Sequence, residues 1–199
     1  AGYSYFQLNV EDAIWYKVTG ESFVNDAGKA YLKFPDVMVA GKEKLYTIKE
    51  DAPQNSCGEN LTWTLTDGEL VIEGTGVMYD FEAGTAPWYS YKDEIVKLTI
   101  KSGVTSVGHY AFNECSKIAD VVIPNGVTTL GTHAFGYCDG LTVVSLPPSV
   151  KTIGWSAFYA CRNLTTVNLS EGVTRIGEYS FADCENLSKL NIPEGVTEI

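Results

Sequence analysis

Residues of the same kind recur every 23 positions through the second half of this chain. Val104, Val127, Val150, Val173 and Val196 share one register, as do Gly108, Gly131, Gly154 and Gly177. Phe112, Phe135, Phe158 and Phe181 form a third column, and Cys115, Cys138, Cys161 and Cys184 a fourth. No insertion or deletion interrupts them. A period of about 20 to 50 residues marks a solenoid, because so short a unit cannot bury its own apolar face and must stack on its neighbours. The repeat settles the architecture and favours a binding or scaffolding role over catalysis.

Within a unit such as Leu141–Leu164, the alternation Val144-Ser145-Leu146 predicts a short strand with one buried face. Pro124, Pro147 and Pro193, with Ser170 at the fourth position, end that strand, since proline cannot continue a ladder. Val150 and Ile153 cover the next edge, and the glycine column suits a sharp reversal. Ala157, Phe158, Cys161 and Leu164 are spaced like one face of a helical turn. The expected fold is an α/β solenoid: one short parallel strand plus a short helical segment per 23-residue repeat, with an N-terminal β-rich cap.

Repeats start at Ile95, Ile118, Leu141, Leu164 and Leu187, so residues 95–199 form the array, with a truncated last repeat. An end without a polar cap exposes core. This predicts a fragment of a longer array, or end-to-end contact with another chain through the uncapped C-terminus. Extrapolated backwards, Trp88-Tyr89 falls at the Ala-Phe position and closes the first turn. Residues 57–94 contain the hairpin signal Leu61–Leu65, Asp67-Gly68, Leu70–Ile72, a cover for the first open edge. Residues 1–56 are strand-rich, at Tyr5–Val10, Ile14–Val18 and Tyr31–Phe34. Ile48–Ala52, with Pro53 in the phenylalanine position and Ser56 in the cysteine column, is compatible with one degenerate repeat.

Composition narrows the partners. A formal charge of −11 is the wrong sign for wrapping a phosphate backbone or an anionic membrane surface. No apolar run reaches the roughly 18 to 20 residues that span a bilayer. The N-terminus Ala1-Gly2-Tyr3 has no basic n-region followed by an apolar h-region, so any secretion signal is absent from this chain or already removed. The four-cysteine column points one way along the stack, and parallel Cβ vectors about 4.8 Å apart suit a disulfide poorly. A line of thiolates is not a tetrahedron either, so the column reads as buried core and implies no metal or cofactor.

The units Val127–Cys138 and Val173–Cys184 resemble BspA-like leucine-rich repeats, also called the Treponema type. Cys57–Leu65, Gly74–Met78 and Ala86–Tyr91 are similar to a lead-in of that family, and Val10–Tyr16 with Val39–Ile48 to a second one. Ser170 and Ser180 depart from its proline and alanine. The resemblance implies a leucine-rich repeat solenoid in a secreted or cell-surface bacterial protein. It also implies adhesion to host matrix proteins or to other cell-surface proteins, without catalysis.

Two surfaces are candidate sites. Strand residues pointing outward make a concave face with rows Lys97, Asp120, Val143, Thr166, Lys189 and Thr99, Val122, Ser145, Asn168, Asn191. These rows are small and polar, and lack the Trp, Tyr and Arg anchors of most interfaces. Larger side chains lie elsewhere: Tyr110, His133 and Tyr179 in one column, Trp155 beside it, Tyr137 and Tyr159 flanking the cysteines. Such a line of rings stacks on sugars or anchors a partner; alternatively it packs along the convex side and braces successive turns. His109, His133 and Glu114 make a poor catalytic site, and no serine or cysteine stands in a nucleophile context. Asn60, Asn163 and Asn186 match glycosylation acceptors, the last two at one repeat position. Three functions follow: an extracellular protein-binding module, a structural spacer presenting another module, or a glycan binder.

Overall fold

The structure, a computed structural model, describes residues 55–199 and, upstream, the backbone of four two-residue strands. The chain divides into two compact units, Ala1–Ala52 and Pro53–Ile199. In the first, β1 (Tyr5–Phe6) pairs antiparallel with β2 (Tyr16–Lys17), and β3 (Phe23–Val24) with β4 (Ala30–Tyr31). The expected degenerate repeat at Ile48–Ala52 lies outside the described residues.

The second unit opens with β5 (Ser56–Gly58) and the hairpin of β6 (Leu61–Thr66) and β7 (Glu69–Gly74). Asp67 (φ 49°) and Gly68 (φ 80°) make its two-residue turn, and two successive positive φ angles match the right-handed twist of the flanking strands. β7 then pairs parallel with β9 (Lys97–Ile100), and β9 with β11 (Asp120–Val122). β13 (Val143–Ser145) and β15 (Thr166–Asn168) continue this wall in the following repeats. The hairpin is therefore a covalent lid on the first parallel strand.

Each repeat carries a second parallel strand, where the sequence pattern indicated only one. β8 (Gly76–Val77), β10 (Val104–Val107), β12 (Thr129–Leu130), β14 (Thr152–Ile153) and β16 (Arg175–Ile176) form one sheet. Most of these strands are two residues long, too short for alternation to register as a period of two.

The expected helical segment is a chain of tight turns. Alternate amides are committed to the next repeat: His133, Phe135 and Tyr137 donate to the carbonyls of Trp155, Ala157 and Tyr159 at 3.0, 2.8 and 2.7 Å. The amides between them close turns onto their own repeat, Ala134 to Gly131 and Gly136 to His133, both at 3.2 Å. Two columns take left-handed φ angles between 50° and 63°: Tyr110, His133, Ser156, Tyr179 and Glu114, Tyr137, Ala160, Asp183. A helix needs uninterrupted right-handed φ and i→i−4 bonds. This segment has neither, yet it turns Ala157, Phe158, Cys161 and Leu164 inward, as the spacing required.

The core is a stack of rings. Trp88, Phe112, Phe135, Phe158 and Phe181 lie face to face with centroids 5.4, 5.2, 5.3 and 5.5 Å apart. Each such pair contributes about 0.5–1.5 kcal/mol beyond the burial of its area. Trp88, rather than Tyr89, occupies the phenylalanine position, one residue off the extrapolated register. Its Nε1–H donates to the Ala111 carbonyl at 2.7 Å, and the edges of Trp63 and Phe81 close the stack.

The cysteine column is buried beside these rings. Cys138, Cys161 and Cys184 each donate Sγ–H to the phenylalanine carbonyl of the preceding repeat, at 3.1, 3.1 and 3.2 Å. Burial pushes the Cys57 and Cys115 thiols up to about 12, so they remain protonated core groups. Both departures from the repeat pattern are satisfied locally. Ser170 Oγ–H donates to the Pro147 carbonyl at 3.0 Å, and the Ser180 hydroxyl lies against the carbonyls of Gly177 and Gly154.

Candidate functional site

The strand wall presents the two predicted rows outward and in register. Lys97 pairs with Asp120, Thr99 with Val122, Val143 with Thr166 and Ser145 with Asn168. All are exposed except Thr99, which is half-buried, and Lys189 and Asn191 continue the rows as exposed residues. Asn168 Nδ2–H donates to Ser145 Oγ at 2.9 Å, which fixes one amide on the face. Val122 is 70% exposed and Val143 47%. They lie on adjacent strands and give the face an apolar centre among polar neighbours.

Pattern reading missed the upstream extension of these rows. Glu69 stands opposite Lys97 and Val71 opposite Thr99, so the hairpin lengthens the face by one strand. Lys97 Nζ lies 3.0 Å from Glu69 Oε1, and Thr99 Oγ1–H donates to the same oxygen at 2.6 Å. The Thr99 hydrogen bond, then that from Lys97, holds the Glu69 carboxyl below its ordinary value. The available signal was the alternation Glu69-Leu70-Val71-Ile72, whose outward members fall in line once β7 is known to pair parallel with β9.

On the turn wall the predicted aromatics come together as two touching lines. Tyr110 stacks on His133 at 5.0 Å, His133 meets the edge of Trp155 at 4.9 Å, and Trp155 meets Tyr179 at 6.2 Å. The column itself would place Ser156 between His133 and Tyr179. Ser156 is buried, and the Trp155 ring fills its place in the line. Tyr137 and Tyr159 make the second line, 5.4 Å apart, joined to the first by His133 and Tyr159 at 6.1 Å. Bracing is thus part of what these rings do. Tyr137, Trp155 and Tyr179 nevertheless keep 38%, 45% and 61% of their surface open.

Beneath the rings, Asn113 Oδ1 and His133 Nδ1 are buried without hydrogen-bond partners and converge on Gly136. Burial lowers the His133 pKa from its ordinary 6.5. The unfolded chain therefore takes up that proton more readily than the fold does. The stability of this neutral imidazole is fully present above 6.5 and is lost as pH falls through the lowered value. Melting temperature is expected to fall more steeply between about pH 7 and 5 in the parent than in His133→Phe, which keeps a ring against Tyr110 and Trp155. Parallel pH profiles in circular-dichroism melts would contradict this.

The remaining polar candidates serve the stack. The His109 amide donates to Asp80 Oδ1 at 2.9 Å, and its imidazole is exposed rather than directed at His133. Glu114 Oε2 accepts from the Tyr89 hydroxyl at 2.7 Å. Asn163 and Asn186 donate through Nδ2–H to the carbonyls of Asp139 and Arg162 in the preceding repeat, at 2.9 and 2.8 Å. Repeat geometry therefore explains this pair of asparagines. Among the described residues no group of three or more His, Cys, Asp and Glu side chains could hold a metal ion. No helix among them is long and apolar enough to cross a membrane.

The profile of the BspA type leucine rich repeat region matches residues 87–199, more than half of the chain, in six copies. Among solved structures, the chain is similar to a leucine-rich repeat protein from Eubacterium ventriosum, with 26% identity and a TM-score of 0.54 over 70% of this chain and 43% of that one. It thus spans less than half the length of that protein. It is also similar in fold to the leucine rich repeat protein of T. pallidum, with 21% identity and a TM-score of 0.55 over 72% of this chain and 80% of that one. No curated protein matches the sequence.

Proposed function

We propose a function from one premise: this chain belongs to the BspA-type leucine-rich repeat family. It is a non-catalytic binding module of a bacterial cell-surface or secreted protein, and its strand face holds another protein, such as a host matrix or cell-surface protein. The observation that carries this reading is the face itself, with side chains outward in paired register across β7, β9 and β11 and again across β13 and β15. Val122 and Val143 supply an apolar centre, and Lys97, Asp120, Ser145, Thr166 and Asn168 a polar surround. An apolar centre within a polar rim is the usual anatomy of a protein interface. Nothing inside the fold requires valine at 70% exposure, whereas a partner would cover it.

The test uses an array of purified extracellular-matrix and cell-surface proteins probed with the parent chain and with Asn168→Arg. Asn168 is exposed and its side chain hydrogen-bonds Ser145, so the substitution is expected to leave the melting temperature nearly unchanged. Affinity for any captured protein should fall about tenfold or more, a loss of roughly 1.4 kcal/mol. Binding that survives the substitution rejects the strand face. Silence across the array, with fold intact, favours the spacer that presents another module.

A further inference from the structure

The turn wall carries a second surface, which no part of the strand-face reading uses. Its rings are not demanded by the repeat. Trp155 occupies a column filled by Thr132 in the preceding repeat and Glu178 in the next, and both of those turns close with the same hydrogen-bond pattern. Tyr179 shares its column with Ser156, which makes the same left-handed turn without a ring. Trp155 stands in the line of rings where Ser156 has none, yet almost half of its own surface is left in solvent. Large amphipathic rings at places where a small polar residue suffices call for an occupant.

We propose that this face binds a neutral polysaccharide, with Trp155 and Tyr179 as the stacking platform and Tyr137 and Tyr159 as its flank. A sugar ring offers an apolar C–H face to an aromatic ring and hydroxyls to paired acceptors. Both complements are present. Trp155 and Tyr179, 45% and 61% exposed, meet edge to face with centroids 6.2 Å apart, so each keeps an open face for a sugar ring. The exposed Glu178 carboxylate follows Trp155 in its own column, and Asp183 stands beside the Tyr159 hydroxyl. The chain's charge of −11 selects against sulfated or carboxylated sugars. Ring geometry also selects against the other ligand that aromatic surfaces take, a proline-rich peptide in an extended helix. Such a peptide inserts prolines between rings. Here His133 and Trp155 (81°), Trp155 and Tyr179 (89°), and Tyr137 and Tyr159 (77°) meet edge to face in direct contact, which closes those slots.

The experiment follows the Trp155 indole N–H by NMR in the whole chain, titrated with cellohexaose, xylohexaose, laminarihexaose and mannohexaose. The signal is assigned by its loss in Trp155→Thr. At least one hexasaccharide is expected to shift it. Affinity, read by isothermal titration calorimetry in the parent and the variants alike, should drop about tenfold in Trp155→Thr and in Tyr179→Ser, two replacements that neighbouring repeats already carry at these columns. Asn168→Arg on the strand face should leave sugar binding unchanged. The proposal is overturned if no hexasaccharide moves the signal, or if both turn-wall variants bind as the parent does. It is equally overturned if Asn168→Arg abolishes binding, or if a proline decapeptide or a sulfated hexasaccharide shifts the signal where the neutral sugars do not.

Discussion

Phe135→Ala is expected to destabilise the second unit by about 3–5 kcal/mol, the range for deleting a buried aromatic side chain. Phe135 is fully buried, with Phe112 stacked on one face at 5.2 Å and Phe158 on the other at 5.3 Å. The rings above and below are anchored by their own backbone ladders, so the void cannot collapse. A domain is stable by only about 5–15 kcal/mol in all, and a solenoid stores much of that in contacts between adjacent repeats. Loss of this ring should therefore uncouple the lid and first repeat from the later ones and broaden the urea transition. Phe181→Ala is the control. Phe181 stacks on Phe158 alone and is only half-buried, so its removal should cost less than half as much. Equal losses in the two variants would show that stability is not carried by stacking along the column.

The columns that run through this stack were legible because burial enforces them. Valine, glycine, phenylalanine and cysteine recur without slippage, since one inserted residue would turn an inward side chain outward. The hairpin was legible for a similar reason: Asp67-Gly68 suits a turn with two positive φ angles. What escaped were features governed by the backbone between repeats. The turn wall imitates a helix in sequence because both geometries bring Ala157, Phe158 and Cys161 inward. The left-handed φ angles of Ser156 and Ala160 and the amide pairings of Ser156, Phe158 and Ala160 to the next repeat distinguish them. The second strand escaped because Thr152-Ile153 is too short to show a period. Of the candidate sites, the strand rows followed from alternation alone, whereas the link from Glu69 to Lys97 needed the parallel pairing of hairpin and repeat. The substitution of Trp155 for a ring at Ser156 lies off the column, where periodicity carries no information.

Gly154→Ala is expected to be the second most damaging single change, at about 3 kcal/mol, the upper end of the usual cost of overpacking. The glycine column does not owe its identity to a left-handed backbone. Gly154 has no positive φ, unlike Gly68 or Gly126. Its constraint is proximity: a Cβ there would lie 2.7 Å from the Gly131 carbonyl carbon and 2.8 Å from the Leu130 oxygen. Gly131 is similarly close to the His109 backbone nitrogen at 2.6 Å, and Gly177 to that of Trp155 at 2.6 Å. At Gly154 every obstructing atom is backbone, so relief requires adjacent repeats to separate, which lengthens the hydrogen bonds between them. Gly136→Ala makes the contrast. Its Cβ would meet the side-chain atoms Asn113 Oδ1 at 2.7 Å and His133 Nδ1 at 3.0 Å, which hold no hydrogen-bond partner and give way with less strain than a backbone atom does. That variant should cost under about 1 kcal/mol, as small adjustments at yielding sites do. Urea midpoints for the two alanine variants measure the difference, and a Gly154→Ala midpoint at or above that of Gly136→Ala would refute the close-packing account. The same column sets how far apart successive strands stand. Binding on the strand face should therefore fail in Gly154→Ala at urea concentrations where circular dichroism still reports a fold, because Val143 and Ser145 no longer hold register with Thr166 and Asn168.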